Sequence, residues 1–419
     1  MEVNGVYCNQ TIGFALMTQE KKLKALPRIC MISCLLGFDD SQTHLYARTI
    51  LAWGYSLIAI VPGDIPKSLS AYEIYHYPVS LATHNFDYNS SFSNILCGLF
   101  QRSWNSIVAL FYLLKAKPDI CICIQPDSWL ISIVGKLFLH NRVVVDLREI
   151  YEDRSSAFPV VLQPSIRKLL RFVFRLLSKF TDQIIHVSEA RQAHYSYLLK
   201  PGIVVSPFPE LEYYPNHSLD NDKSEVKVVH AGGLRWFYAS DQFIESIPMV
   251  LEQAPNVKFI VIGGITSKMN NIQLVNNLID GGNLILIPRI SHEEVIEILL
   301  QSDIGISLVL PIDQTHILAM PRKLFEYLAA GLPVVAADMP TLRDVIISSA
   351  CGVLVDPSSP KSIANGILQL VSNQDLRKQL GENGRRGCED SYNWHHESEK
   401  LHNLLISLGT GRNVPEAGC

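Results

Sequence analysis

Charged side chains are scarce in this chain of 419 residues: Asp, Glu, Lys and Arg together make up 18% of it. Ordinary soluble proteins contain roughly 25%. Basic residues are not in excess either, because 36 Lys and Arg stand against 40 Asp and Glu. The formal net charge of −4 excludes a global attraction to nucleic-acid phosphates, so we expect no nucleic-acid partner. Any basic site must therefore be local.

Long apolar runs and paired cysteines are also missing. Lys115 and Lys136 interrupt two apolar stretches before either reaches the about 18 residues of a membrane-spanning helix. The 9 cysteines are scattered, without a CxxC pair or a zinc-type Cys/His spacing, which is typical of a reduced, cytoplasmic protein without a metal site. The first 27 residues lack the basic start and cleavage site of a secretory signal, and we expect them to form an N-terminal extension.

What the chain does contain is a regular alternation of short apolar runs and amphipathic stretches, which begins at Ile29. It is interrupted after Lys200 by a segment rich in Pro, Tyr and polar residues, and restarts at the run VKVVHAGG. This order predicts an α/β fold of two doubly wound, Rossmann-like domains, whose carboxyl strand ends face each other across a cleft. The expected divisions are an N-terminal domain at 28–208, a C-terminal domain at 209–390, and a C-terminal helix and tail at 391–419.

The run MPRKLFEYLAAGLPVVA, residues 320–336, has the features of an anion site at the start of a helix. Pro321 fits the first helical position and Gly331 fits the end. The first backbone N–H groups of a helix have no intrahelical acceptor, and here two cationic side chains accompany them. The segment therefore predicts a phosphate cradle. Its predicted members are Arg322, Lys323 and Leu324.

A carboxylate follows this cradle at Glu326, about one helical turn further in. A diphosphate with a ribose attached matches that arrangement. A solvated helix glutamate explains the same spacing.

Four segments together resemble the family-4 glycosyltransferases of the GT-B fold. They are the run at 320–336, VVHAGGL at 228–234, LIPRISHEEVIEILLQSDIGISLV at 286–309 and VVVDLREIYED at 143–153. The resemblance implies that the C-terminal domain binds a nucleotide-sugar donor and that the N-terminal domain binds a glycan or lipid-linked acceptor. It further implies transfer with retention, without a cofactor or an obligatory metal. The expected role is in cell-surface polysaccharide or glycolipid biosynthesis.

On the donor side, the resemblance assigns Glu326 to the ribose hydroxyls. The family usually has another glutamate eight residues earlier, where this chain has Leu318. Arg235 could neutralise charge on the departing diphosphate, with Lys323 or Arg322 taking the place of a lysine that the family often supplies.

Gly232 and Gly233 directly follow a strand, where the absence of a Cβ lets the backbone approach a pyrophosphate. An ordinary strand-to-helix turn would have the same sequence.

In the N-terminal domain, Asp146, Arg148 and Glu149 come just after a strand, at the edge that faces the cleft. Arg148 and Glu149 are catalytic candidates there, and Asp146 is a candidate acceptor contact. Arg148 takes the place of the family histidine that lies against the donor sugar, and it could hold charge or a hydroxyl there. A surface pair of Arg148 with Glu149 or Asp146 is the alternative. Asp39 and Asp40 precede a helix predicted at 42–53, where they either cap it or contact the acceptor.

The stretch from Ser165 to Phe180 has five basic residues and no acidic one. They are Arg167, Lys168, Arg171, Arg175 and Lys179. The spacing predicts a basic amphipathic helix, which either attaches reversibly to anionic lipid at the inner face of a membrane or packs on the sheet with a solvated basic side.

Two other functions remain open on the sequence. A GT-B nucleotide-sugar epimerase would have the same fold but no acceptor. A catalytically silent nucleotide-sugar binder is conceivable because of Leu318 and Arg148.

Overall fold

The computed structural model describes residues 26–34, 40–77, 92–152, 163–200, 202–215, 225–265 and 269–410. Most of the predicted extension, Asp39 and the predicted tail beyond residue 410 lie outside these ranges. No helix in the described ranges is both long enough and apolar enough to cross a membrane.

The first sheet has seven parallel strands in the order β3-β2-β1-β4-β5-β6-β7. Its strands are β1 Ile29–Ile32, β2 Leu57–Ile60, β3 Ile74–His76, β4 Ile120–Ile124, β5 Arg142–Leu147, β6 Gln183–His186 and β7 Gly202–Val204. Both faces are apolar, because helices cover both sides of a parallel sheet. In β4, for example, Cys121 and Cys123 belong to the core on one face and Ile122 to the core on the other. Both cysteines are therefore core residues of this domain.

The second sheet has six parallel strands in the order β10-β9-β8-β11-β12-β13. Its strands are β8 Val226–Ala231, β9 Val257–Ile262, β10 Leu284–Ile287, β11 Ile304–Ser307, β12 Val334–Ala337 and β13 Gly352–Val355. The strand order reverses between β8 and β11. In sheets of this kind ligands bind outside the carboxyl ends of the strands at such a reversal.

Helices connect and cover the strands. They are α1 Ser41–Ala52, α2 Phe92–Ala116, α3 Trp129–Leu139, α4 Gln163–Ser178, α5 Glu189–His194, α6 Ser240–Leu251, α7 Ile272–Asp280, α8 His292–Leu300, α9 Gln314–Ile317, α10 Arg322–Ala329, α11 Pro340–Ser349, α12 Pro360–Val371, α13 Gln374–Asp390 and α14 Trp394–Thr410. The helices predicted at 42–53 and at 165–180 are confirmed as α1 and α4.

The last helix, α14, packs on the first sheet although it follows the second one in the chain. Trp394 and Leu401 belong to the core under α1, where the Trp394 ring stacks on Tyr46 with centroids 5.5 Å apart. Trp394 Nε1 also donates a 2.8 Å hydrogen bond to Thr49 Oγ1 of α1. The end of the described chain therefore ties the second sheet back to the first.

Candidate functional site

Two glycine turns lie at the carboxyl ends of β8 and β9. Gly232 and Gly263 both have φ of +105°, a conformation that L side chains rarely adopt. A Cβ on Gly263 would lie 2.6 Å from the backbone nitrogen of Gly233, whereas one on Gly232 would meet no atom within 4 Å. The two turns therefore pack backbone against backbone, and Gly232 faces open space. Sequence reasoning missed Gly263, although VKFIVIGG ends in the same two glycines as VKVVHAGG.

Helix α10 is fixed against this edge of the sheet by the Tyr327 hydroxyl. It accepts a 2.7 Å hydrogen bond from the Ala231 N–H at the end of β8 and donates one of 3.1 Å to the Ile306 carbonyl of β11. The N-terminus of α10 is thereby held at the reversal point of the second sheet.

The ends of α10 are close to those predicted. Gly331, with φ of +74°, follows the end of the helix as expected, while Pro321 is the residue before the first turn rather than its first member. The Leu324 N–H donates a 3.0 Å hydrogen bond to the Pro321 carbonyl. The prediction of an unpaired Leu324 amide is therefore wrong, because a tight first turn uses it.

Lys323 extends from this first turn into a buried position, where its Nζ has no hydrogen-bond partner among the described residues. The Nζ lies 4.0 Å from the centroid of the Tyr238 ring. Burial, together with the nearby charge of Arg235, lowers the pKa of Lys323 to about 7. A buried ammonium without an anion is costly, so this position favours an anionic ligand.

Arg235 and Glu149 approach the same point from the two domains. Arg235 follows the glycine turn of β8, and its guanidinium carbon lies 5.8 Å from the centroid of the Phe237 ring. Burial raises the pKa of Tyr238, Arg235 partly offsets this, and the charge of Glu149 adds to it. Thr315 Oγ1 of α9 also donates a 3.2 Å hydrogen bond to the Ile150 carbonyl beyond β5. The loop after β5 thus meets the second domain beside Lys323.

Glu326 is 8% exposed, so the alternative of a solvated helix glutamate is wrong. His292 Nε2 lies 3.0 Å and Arg322 Nε 2.9 Å from Glu326 Oε1. Burial alone would raise the pKa of Glu326, but the His292 hydrogen bond and the Arg322 charge outweigh it and hold that pKa below its ordinary value. Among the described residues Oε2 receives no hydrogen bond, which leaves an ionised acceptor for a ligand.

His292 was not singled out in the sequence, although it lies in a segment that carries the resemblance. It is the first residue of α8, which begins with a capping box formed by Ser291 and Glu294. That box, S-x-x-E, is readable from sequence and fixes where the helix starts. The contact with Glu326, 34 positions away, is not readable in this way.

Arg148 is buried rather than on the surface. Its Nε donates a 2.7 Å hydrogen bond to Asp146 Oδ2, and its Nη1 bonds to Asp40 and, at 3.0 Å, to Thr43 Oγ1. The pairing of Arg148 with Asp146 is therefore confirmed, but the expected surface location of that pair is wrong. Nη2 is buried and has no partner in the part of the chain that the structure describes. The prediction that Arg148 serves transfer depends on this nitrogen.

Two predicted acceptor contacts take other roles in the structure. Asp40 caps α1 by accepting a 2.8 Å hydrogen bond from the Thr43 N–H, as the capping alternative predicted, and it also binds Arg148. Asp146 is fully buried, and burial raises its pKa despite the adjacent Arg148 charge. Asp146 as an acceptor contact is therefore wrong: the side chain does not reach the cleft surface.

Leu318 directly follows the short helix α9 as its C-terminal cap, and Asp313 is the N-terminal cap of the same helix. His316 Nδ1 lies 2.6 Å from Asp313 Oδ1, and its ring packs against Phe237 with centroids 5.2 Å apart. This imidazole–carboxylate pair follows β11 and borders the cleft near Thr315.

Comparisons with known proteins identify this architecture. Residues 216–387, which include both glycine turns and α10, match the family of glycosyl transferases group 1. The chain is 24% identical over 329 residues to the capsular polysaccharide biosynthesis glycosyltransferase CapM of Staphylococcus aureus, covering 74% of this chain and 83% of that protein. It is 22% identical over 262 residues to an uncharacterized glycosyltransferase of Methanocaldococcus jannaschii, covering 58% of this chain and 64% of that relative's length.

Among solved structures, the chain is similar to Anabaena HepE, crystallised in complex with UDP and glucose. The TM-score is 0.67 at 14% identity, covering 91% of this chain and 100% of HepE. The predicted GT-B fold of two facing Rossmann-like domains is confirmed.

Proposed function

We propose that this protein is a glycosyltransferase that moves a sugar from a nucleoside-diphosphate sugar to an acceptor hydroxyl. The observation that carries the proposal is the buried Lys323 ammonium, which has no hydrogen-bond partner among the described residues and lies at the N-terminus of α10 near Arg235. Glu326, one turn deeper, presents Oε2 to the ribose hydroxyls. The match of residues 216–387 to glycosyl transferases group 1 covers these residues and supports the assignment.

The chemistry follows from where charge develops. The bond between the anomeric carbon and the diphosphate oxygen breaks, and the acceptor oxygen bonds to that carbon and passes its proton to the departing diphosphate oxygen. Negative charge then grows on the leaving diphosphate, where Lys323, Arg235 and the helix N-terminus would stabilise it. A bound diphosphate raises the pKa of Lys323, so the ammonium stays protonated during transfer. In this scheme the chain's own cations take the role that a metal ion would otherwise have.

The finer features are also part of the proposal. The motif order of the family-4 enzymes supports that family and transfer with retention. The resemblance to CapM supports a glycan or lipid-linked acceptor in cell-surface polysaccharide biosynthesis. The UDP in the HepE crystal makes UDP-sugars the first donors to test. A lipid-linked acceptor would bring the enzyme to the inner face of a membrane.

Calorimetric titration with UDP and other nucleoside diphosphates tests the donor site. Glu326→Gln should weaken binding roughly ten- to hundredfold, since a hydrogen bond to a charged group contributes about 1.5 to 3 kcal/mol. Glu297→Gln, on the exposed side of α8, is the matched control and should bind like the wild type. Equal affinities for the two variants would contradict the placement of the ribose.

Turnover then separates the proposed transferase from its two rivals. With donor and acceptor glycan, we expect release of the nucleoside diphosphate that depends on acceptor. Release or epimerisation with donor alone would indicate an epimerase instead. Binding of donor without any turnover would indicate a silent binder.

A further inference from the structure

Helices α2, α3 and α4 cover one face of the first sheet and leave apolar side chains in solvent. Their inner sides contribute Leu113, Ile133 and Phe174 to a single core on that face. Because all three helices are anchored on the same face, their outer sides point away from the sheet in the same general direction. These outer sides form one surface, which we call the outer helical face.

The outer helical face contains apolar stripes at helical spacing. On α2 the exposed residues are Trp104, Ile107 and Phe111. On α3 they are Leu130, Leu137 and Phe138. On α4 and just beyond it they are Leu169, Phe172, Leu176 and Phe180. Exposure ranges from 45% at Phe180 to 69% at Phe138, well beyond what packing on the sheet explains. Large exposed apolar patches in soluble proteins mark interaction sites.

Basic residues surround these apolar stripes. Helix α4 and the residue after it supply Arg167, Lys168, Arg175 and Lys179, all exposed. A cavity of about 470 Å³ at the ends of α3 and α4 is lined by Lys136, Arg142, Lys179 and Lys200. Its lining has a single acidic residue, Asp182, which pairs with Lys136 at 2.5 Å and with Arg142 at 3.1 Å. The surface therefore carries a local excess of positive charge on a chain of negative net charge.

We infer that the outer helical face docks on an anionic lipid bilayer, with the apolar stripes in the interface and the cations against lipid headgroups. The combination is that of interfacial helices, which bury an apolar side and direct Lys and Arg to the headgroups. Apolar stripes on three helices enlarge the contact beyond the single helix that the sequence predicted. The docking rests on the proposed function only in that a lipid-linked acceptor would lie in the same bilayer.

Charge favours a bilayer over a second copy of the chain. Two copies that met through this face would bring their excess cations together, and like charges across an interface are unfavourable. Anionic headgroups neutralise the same cations, and each basic residue near such a surface contributes about 1 kcal/mol.

One basic residue of α4 is joined to the protein interior. Arg171 Nε lies 3.4 Å from Glu152 Oε1, a fully buried carboxylate that also accepts hydrogen bonds from His194 and Tyr197. Replacing Arg171 would alter this buried cluster as well as the surface charge. A clean test therefore changes Lys168 and Lys179 instead.

Sedimentation with vesicles tests the inference on the full chain, without donor or acceptor. Wild-type protein should bind vesicles that contain phosphatidylglycerol, and bind phosphatidylcholine vesicles much more weakly. Lys168→Glu with Lys179→Glu should reduce binding to the anionic vesicles roughly thirtyfold or more, since two favourable contacts become repulsive. Lys361→Glu with Lys378→Glu, on exposed positions of α12 and α13, makes the same change of net charge and should bind like the wild type.

A second pair of variants tests the apolar part. Phe172→Ser with Leu176→Ser should lower binding at least tenfold, whereas Ile272→Ser with Ile347→Ser, exposed in the second domain, should not. Thermal midpoints and UDP affinity equal to those of the wild type show that every variant is folded and keeps its donor site.

Equal vesicle binding by the Lys168 and Lys361 pairs would overturn the inference, as would equal binding to both kinds of vesicle. A wild-type dimer that Phe172→Ser with Leu176→Ser dissociates would show that a second copy covers this face. None of these results depends on transferase activity, so the docking and the proposed function fail separately.

Discussion

Lys323 is a buried basic side chain of the site, and its charge depends on pH near neutrality. Its pKa of about 7 in the folded protein lies far below the ordinary 10.5. Below pH 7 both folded and unfolded chains hold the proton, and the folded protein carries the full cost of a buried charge. Between pH 7 and 10.5 only the unfolded chain holds it, so this contribution to the free energy of unfolding rises with pH.

Lys323→Met should therefore raise the thermal midpoint of the ligand-free protein, most strongly below pH 7, with a gain that shrinks as the pH approaches 10. UDP affinity of the wild type should fall as the pH rises above 7, because Lys323 loses its proton, while the variant binds weakly throughout. Calorimetry and thermal melts across this pH range measure both effects. Lys361→Met, at an exposed position, should change neither; a Lys323→Met profile that matches it would contradict the assigned pKa.

The sequence predicts the role of a single residue well only where that role depends on residues close to it in the chain. Lys323 and Glu326 were found because a helix start and its first two turns are local patterns. Arg148 was placed correctly after its strand, but its partner Asp40 lies 108 positions away. Whether Arg148 forms a surface pair or a buried network depends on how α1 packs beside β5. No local sequence pattern indicates that packing.

Among the elements, the two glycine turns are held together by backbone contact. Gly232 and Gly263 share the same φ of +105°, but only Gly263 is packed against the other turn. Alanine at either position would strain the backbone, but only alanine at Gly263 would also collide with the other turn. The two substitutions therefore serve as controls for each other.

Gly263→Ala should destabilise the protein more than Gly232→Ala, because its Cβ would collide with the Gly233 backbone in addition to the shared strain. Gly232→Ala should instead affect UDP affinity, since its Cβ would project into the open space where the diphosphate is proposed to bind. Denaturant titration gives the stabilities and calorimetry the affinities. If Gly232→Ala binds UDP as tightly as the wild type, the diphosphate does not approach this turn.

The sequence predicts which segments form strands and helices better than it predicts which of these elements pack together. Runs such as VKVVHAGG and VKFIVIGG indicate strands because parallel strands are apolar on both faces. The order of the strands, and hence the reversal between β8 and β11, depends on pairings between distant segments. The resemblance to a known family predicted the GT-B fold, whereas the strand order is seen only in the structure.

At the scale of the whole molecule, the chain crosses between the two sheets twice. It passes from β7 to β8, and after α13 it returns to place α14 on the first sheet. The C-terminal helix predicted within 391–419 is confirmed as α14, but its sequence pattern does not indicate which part of the protein it packs against. The Trp394 N–H donates a 2.9 Å hydrogen bond to the Pro209 carbonyl, and the Ser206 N–H donates one of 2.9 Å to Glu397 Oε2. The segment that returns to the first sheet therefore lies beside the segment that leads from β7 to β8.

We expect the two domains to unfold in separate transitions, because each sheet has hydrophobic core residues of its own. Trp394→Ala should reduce the stability of the first domain by about 3 to 5 kcal/mol, since the buried ring leaves a cavity beside Tyr46 and Thr49 loses its indole donor. UDP should raise the transition of the second domain, where it is proposed to bind, by mass action. Scanning calorimetry of wild type and variant, with and without UDP, resolves the two effects.

In Trp394→Ala the transition of the first domain should move down and stay there when UDP is added, while that of the second domain still rises. Trp104→Ala, with the ring more than half exposed on α2, is the matched control and should leave both transitions unchanged. A single transition that shifts as a whole in every case would mean that α14 couples the two cores into one cooperative unit. The protein would then have one free energy of unfolding instead of a separate value for each domain.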